Sequence, residues 1–333
     1  MTPFQSRAWL LPLFETLGRD MKVAPLFITV RNASGAPALF LPLCRQRHLG
    51  AHILQFPDFG VSDYNAPLMS REMTISRAEA PAVLRAIVAA LGSASALRLE
   101  KMPAQIDGID NPLMEFSGVQ PILSASWGFG LPPKLADYDK SLSSTFRKEI
   151  HRKRRRVAGR GEMSFVQAGS IDEKLSLFDT LVRQRQARCD EMGRFHLLSD
   201  HRFRAFYEAI IKRESTQDFV ELHALKVNDE VVAATLSLRH RQSRFMLMTT
   251  FEGGDWKSCS LGNVVLYESI ADSIARGDAY FDLTIGNESY KKDFGAVAKP
   301  LHSVTRALTI MGLPHAAVRT AAIAVRKRIA AYG

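Results

Sequence analysis

Between Gly286 and Lys291 the chain reads Gly-Asn-Glu-Ser-Tyr-Lys, which sets a carboxylate, a phenol and an ammonium side by side just after a strand-like run. Groups of this kind move protons. A base or a water chain takes a proton from an ammonium, an acid protonates a departing group, and both must stand within hydrogen-bond reach of the reacting atoms. Glu288 is a candidate base or ammonium-binding group, and Lys291 could bind a phosphate or polarise a carbonyl. Asp282 interrupts the otherwise apolar run of Tyr280, Phe281, Leu283 and Ile285, so it is expected to hydrogen-bond near the same place. A plainer reading stands beside this one: Glu288 and Lys291, three apart, can form an ordinary ion pair on one helical face.

A second candidate lies upstream, in the loop running from Gly253 through Asp255, Trp256, Lys257, Ser258 and Cys259 into Ser260-Leu261-Gly262-Asn263. The pattern after it is that of an amphipathic helix to Arg276. A helix start offers unpaired N–H groups and partial positive charge, a natural seat for a phosphate. Gly262 would let the backbone approach closely, and Ser260 could touch phosphate or simply cap the helix. Cys259, at a helix start, is a conceivable thiol nucleophile, although a small buried hydrophobe is the plainer reading. His196, His201, His223 and His240 are scattered without metal-ligand spacing, so no metal is expected.

These groups need a scaffold, and the sequence outlines one. Strand, loop, helix, strand, with functional groups at the strand ends, is how an open α/β sheet builds a ligand crevice. In the first half, 26–32 and 38–48 read as a hairpin, 52–56 as a third strand, 79–91 as a helix and 96–102 as a fourth strand. Residues 103–140 are rich in Pro and Gly and read as a junction. The second half opens with a basic helix over 141–158, with Phe146, Ile150 and Val157 on one side. Helices over 171–192 and 200–214 follow. A meander over 219–227, 230–240 and 244–252 turns at Asn228-Asp229, a hairpin signal. The helix 262–276, the strand 279–285 and a last strand near 301–310 complete the pattern.

Composition frames the function classes. The 333 residues suggest two domains, and 46% hydrophobic with 23% charged residues describes a globular chain. No run of roughly 18 apolar residues would span a membrane. The opening stretch carries Glu15 and lacks a small-residue cleavage site, so it does not read as a signal peptide. Three widely spaced cysteines, Cys44, Cys189 and Cys259, give neither a disulfide framework nor a zinc pattern, and the cytoplasm is the expected location. The net charge of +10 is uneven: Arg147–Arg160 holds eight Lys/Arg against Glu149, and Ala296–Gly333 holds six with no acid. Such clusters touch phosphate or form a solvated face. The tail, 313–333, reads as a basic amphipathic helix that either docks on its own protein or rests on a membrane surface.

Five words in order carry a resemblance over about half the chain: SSTFRKEIHRKRRR at 143–156, FDTLVRQRQARCDEMG at 178–193, HALKVNDEVVAATLSL at 223–238, FEGGDWKSCSLGNVVLYESI at 251–270 and YFDLTIGNESYKKDFG at 280–295. They resemble the GNAT superfamily of acyl-CoA N-acyltransferases, in particular the CelD/BcsL-type acetyltransferases linked to bacterial cellulose and polysaccharide synthesis. The ending G-x-E-x-Y-K is shared with FemAB-like transferases. The resemblance implies an α/β fold of tandem GNAT-like domains with mixed central sheets flanked by helices: a degenerate unit over 1–140, an acetyltransferase domain over 141–312, and the tail. It implies acetyl-CoA as co-substrate, with its pyrophosphate at Ser260, Leu261, Gly262 and Asn263, although that loop is poorer in glycine than the usual GNAT pattern. Tyr290 would be the acid that protonates the CoA thiolate, and Arg185 and Arg188 would lie on the helix flanking the acceptor side. The expected acceptor is an amine, of the amino-sugar or polysaccharide-precursor class. Nucleic acid is not an expected partner of such an enzyme. A FemAB-like transferase drawing on aminoacyl-tRNA and a non-catalytic polymer-binding protein are the alternatives.

Overall fold

The computed structural model describes residues 2–318 apart from 49, 71–74, 91, 93, 195 and 214–215. Two compact units account for the chain: one runs to Ser126 and is rejoined at Lys299, the other is Trp127–Ala298. Residues 319–333, most of the expected tail helix, lie outside the described residues.

The first unit opens with α1 (Arg7–Leu13), capped by Ser6, whose hydroxyl accepts from the Trp9 N–H. This helix buries Trp9, Leu13 and, a turn beyond it, Leu17. Next come β1 (Ala24–Arg31) and β2 (Pro37–His48), joined by a turn in which Asn32 Oδ1 accepts from the Ser34 and Ala36 N–H groups. Then follow β3 (Ala51–Gln55), β4 (Leu68–Met69), α2 (Ala80–Ala90) and β5 (Ala96–Pro103). The short β6 (Gln105–Ile106) and β7 (Ile109–Asp110) pair with each other. One face of the sheet meets α2, and Leu41, Leu43, Leu54, Leu97 and Leu99 close over Leu84 and Ile87. Burying side chains of this size stabilises by about 1.5–3 kcal/mol each.

β8 (Gln120–Gly130) carries the chain across the division at Trp127. The stretch 103–140, read from its Pro and Gly as a junction, holds an eleven-residue strand. Its Gly, Ser and Pro content weakens the strand signal. The second unit continues with α3 (Leu135–Ser141) and α4 (Ser144–Ala158). Ser143 caps α4, which buries Phe146, Ile150 and Val157 as its periodicity predicts. Edge strand β9 (Met163–Gln167), unforeseen in the sequence, is followed by α5 (Ile171–Glu191), started by a Ser170/Glu173 capping box, and α6 (His201–Lys212). The meander is β10 (Val220–Val227), β11 (Glu230–His240) and β12 (Ser243–Phe251). Its first turn places Asn228 and Asp229 at φ 49° and 66°, as an Asn-Asp hairpin requires. Then come α7 (Leu261–Ala275), β13 (Tyr280–Ile285) and α8 (Tyr290–Asp293).

The last strand, β14 (Val297–Ala307), pairs antiparallel with β5 over Leu301–Ala307 and so completes the first unit's sheet, in the order β1-β2-β3-β5-β14. This pairing moves the boundaries away from residues 140 and 312, because a strand late in the sequence belongs to the early unit. Within the second unit the order is β8-β13-β12-β11-β10-β9. Both units follow one plan: an antiparallel meander, a crossover helix, then a parallel strand beside the last meander strand. In the first unit β3 and β5 are the parallel pair, and in the second β12 and β13. The fold is a tandem of GNAT-like α/β units with mixed sheets flanked by helices.

Candidate active site

The crevice of the second unit opens where β12 and β13 part. Their parallel register covers Ser243–Phe245 against Tyr280–Asp282. Just beyond, Thr284 takes φ 57°, held there by its N–H donating to Asp282 Oδ1 (2.7 Å), while its hydroxyl donates to the Met246 carbonyl (3.1 Å). This left-handed residue lies just past the last paired residues of β12 and β13. Past it, the carboxyl ends of the two strands and the start of α7 surround a cleft of about 430 Å³. Its walls are Thr249 and Phe251 from β12, Lys257, Ser260, Gly262, Asn263 and Leu266 from the loop and α7, Arg188 from α5, and Tyr290 from α8.

The start of α7 has no side-chain cap. Ser260 sits in the left-handed region at φ 51° and makes no side-chain cap bond, so the plain reading of a serine N-cap does not hold. The remaining turn bonds there run from Asn263 and Val264 N–H to the Ser260 carbonyl. Gly262 is needed for packing: a Cβ on it would stand 2.7 Å from Phe251 Cε1. The same ring carries the Arg188 guanidinium 3.9 Å above its centre. Burial and the neighbouring Arg185 push the Arg188 pKa down from its ordinary value. The cleft lining thus includes two cations, Arg188 and Lys257, and no carboxylate.

Basic groups continue around the loop. Arg156 donates to the Ser258 carbonyl (2.8 Å), and Arg160 stacks on Trp256 at 4.7 Å, so the end of α4 braces the segment that leads into α7. On the other wall, burial and the Glu288 charge push the Tyr290 hydroxyl up to about 12. It therefore carries its proton throughout the neutral range, the state a general acid requires.

Residues 144–292, which span every one of these walls, match the family described as the acetyltransferase (GNAT) domain. This part of the chain is a GNAT acetyltransferase domain. Solved structures share the fold over nearly the whole chain at low identity. FemX aligns with TM-score 0.60 and 10% identity over 92% of each chain. A conserved protein from Bacteroides thetaiotaomicron aligns with 0.57 and 12%, over 91% of this chain and 90% of that one. L-PGS from Bacillus licheniformis aligns with 0.53 and 10% over 87% of each. None of the curated proteins matches the sequence.

The GNAT cleft brings together five of the residues singled out in the sequence: Ser260, Gly262, Asn263, Arg188 and Tyr290. The others stand elsewhere. Leu261 is buried and fills the core behind the helix start. Asp282 accepts from the Thr284 N–H. Lys291, 2% exposed, donates to the Ile285 carbonyl (3.1 Å) and pairs with Glu288 (3.0 Å), so the i,i+3 ion pair is formed and its ammonium faces the backbone of β13. Glu288 is half-exposed on that pair. Gly286 takes φ 137°, and a Cβ there would collide with the Glu288 carboxylate. Arg185 does not line the cleft. Cys259 is fully buried. Among the described residues, no group of His, Cys, Asp and Glu could hold a metal ion, and no helix is long and apolar enough to cross a membrane. Sequence reasoning missed Thr249, Phe251 and Leu266, whose types carry no chemical signal; their one clue was position, at a strand end and one turn into α7.

Proposed function

We propose that the GNAT domain transfers an acyl group, acetyl in the first instance, from CoA to an amine. The supporting observation is that one cleft joins an uncapped helix start, two cations and a protonated phenol. The pyrophosphate of the donor would lie against the N–H groups at Ser260, Leu261 and Gly262, where backbone donors and the helix field favour negative charge. Arg188 and Lys257 would add positive charge around it. Thioester and amine would meet between the diverging strand ends, and Tyr290 would protonate the departing thiolate. Catalysis of this kind is chiefly positioning and charge stabilisation. With no carboxylate in the lining, the proton lost by the amine would leave through water. Glu288, tied to Lys291, acts through the loop's shape.

The acceptor we assign is an amino sugar or polysaccharide precursor, the class implied by the CelD/BcsL-type resemblance. Titration with acetyl-CoA, followed by Tyr290→Phe, tests the reading. Binding that survives the substitution while turnover falls by about a hundredfold or more is expected. Unchanged turnover would remove Tyr290 as the acid, and failure to bind acetyl-CoA would remove the donor.

A second reading is favoured by Lys148, Arg152, Arg155 and Arg156, exposed on α4, and by the likeness to FemX: the donor is an aminoacyl-tRNA. Salt separates the two, because phosphate-backbone binding falls steeply with ionic strength. Membrane contact belongs here as well. Ile310, Met311 and Leu313 are 84%, 61% and 56% exposed just before the acid-free tail, and a pairing of apolar and basic groups suits an anionic bilayer surface. Flotation with phosphatidylglycerol vesicles, with and without residues 313–333, tests this contact.

A further inference from the structure

The first unit has a cavity of its own, and one feature of β5 is built toward it. Strand alternation places Leu97 and Leu99 on the α2 side and Arg98 and Glu100 on the other. Continued alternation would send Lys101 into the leucine core. It does not go there. The register between β5 and β14 slips by one residue, from His302 opposite Met102 to Val304 opposite Leu99, and Lys101 takes φ 56°. This bulge returns Met102 to the core and turns Lys101 outward, so that Arg98, Glu100 and Lys101 all line one cavity of about 210 Å³.

The surrounding groups are fixed in place. Lys101 Nζ holds Asp58 (2.9 Å) and the Ser62 carbonyl (2.8 Å), and buried Asn65 joins Asp58 (2.9 Å) to the Glu100 carbonyl (3.0 Å). Buried Gln55 accepts from Arg98 and donates to Gln46 Oε1 (2.8 Å). Above them Phe59 is held at φ 47°, a costly conformation for a bulky side chain. Its ring lines the same cavity.

We propose that this cavity binds one neutral sugar ring, a hexopyranose unit, at a site separate from acyl transfer. Three observations select the ligand. The volume falls below the roughly 300–1,000 Å³ of sites for drug-sized molecules, which fits a single ring and excludes a nucleotide or CoA. The formal charges cancel, Asp58 and Glu100 against Arg98 and Lys101, so an anion or cation gains no net attraction. The walls mix donors and acceptors: the Arg98 guanidinium and the Glu100 carboxylate form a loose ion pair, with Nε 3.9 Å from the carboxylate. A sugar hydroxyl can accept from the guanidinium and donate to the carboxylate, both of which line the cavity. The Phe59 ring supplies the apolar surface for the C–H face of a sugar.

The test is saturation-transfer NMR on the full chain with glucose and N-acetylglucosamine, each in millimolar excess. Saturable transfer from at least one sugar is expected, weakened about tenfold by Glu100→Gln and by Arg98→Gln. Phe59→Gly provides the control for folding: relief of the positive φ offsets part of the lost ring contact with Phe14, so the variant should still unfold cooperatively while sugar binding falls. Absence of saturable transfer from both sugars to folded protein would overturn the proposal. So would inorganic phosphate binding that Arg98→Gln abolishes, since that would mark an anion site. Acetyl-CoA titration of the same variants should give the wild-type affinity, so failure here and failure of the acyl-transfer reading are separately visible.

Discussion

Replacing Gly262 by alanine sets two effects against each other. By helix propensity alone the change should stabilise α7, by up to about 1 kcal/mol. The structure reverses the sign. The added Cβ would stand 2.7 Å from Phe251 Cε1, where ordinary contact begins at 3.4 Å, so the ring must retreat by 3.4 − 2.7 = 0.7 Å. Phe251 does not retreat alone, because Arg188 lies 3.9 Å over its face and both line the cleft. Overpacking of this kind costs about 1–3 kcal/mol. We therefore expect a lower melting temperature and acetyl-CoA affinity reduced about tenfold, measured by scanning and titration calorimetry. Phe251→Leu in the same chain should restore part of both, with a coupling of about 0.5–3 kcal/mol as for touching residues. A higher melting temperature with unchanged affinity would refute both the ring clash and the placement of the donor.

Three further outcomes follow from the same geometry. Lys291→Met should lower stability by about 1.5–3 kcal/mol by stripping donors from the carbonyls at the end of β13, with turnover falling in step; lost turnover at unchanged stability in urea would instead give Lys291 a chemical role. Arg244, fully buried, binds Asp272 (2.6 Å) and Glu221 (3.2 Å), so Arg244→Met should cost up to about 3–5 kcal/mol by removing the buried cation of a network that keeps only Arg276 and His223 beside the two carboxylates, and a urea midpoint near wild type would contradict that account. The Tyr290 hydroxyl is pushed up to about 12 from the ordinary phenol value near 10, so its contribution to stability is complete below about pH 10 and is lost as pH rises through 12. Turnover should show no Tyr290-dependent alkaline limb near pH 10, and such a limb, removed by Tyr290→Phe, would show that its surroundings do not hold the proton on the phenol.

Much of the GNAT domain could be read in advance because its signals are local. Asn228-Asp229 names its turn, and Phe146, Ile150 and Val157 mark a buried face. Lys291 misled for a physical reason: a lysine beside a tyrosine at a strand end looks chemical, yet its ammonium is spent on carbonyls that only the fold brings near. Phe251 was silent for the opposite reason, since nothing in a phenylalanine's type reveals that Gly262 and Arg188 both crowd its ring. The destination of β14 is encoded in its pairing with β5, a contact about two hundred residues distant in sequence that no local pattern registers.

That pairing sets a timetable for synthesis. When the ribosome has made Ser126, β5 still lacks its neighbour, and 298 − 126 = 172 further residues must emerge before Lys299 arrives. At roughly 5–20 residues per second the wait is about 10–30 s. During that time the nascent first unit presents an open strand edge, the kind of surface that recruits other chains. The second unit, contiguous from Trp127 to Ala298, can fold in the interval. A chain stopped at Ala298 would thus release an acetyltransferase domain complete in sequence alongside a first unit that never closes.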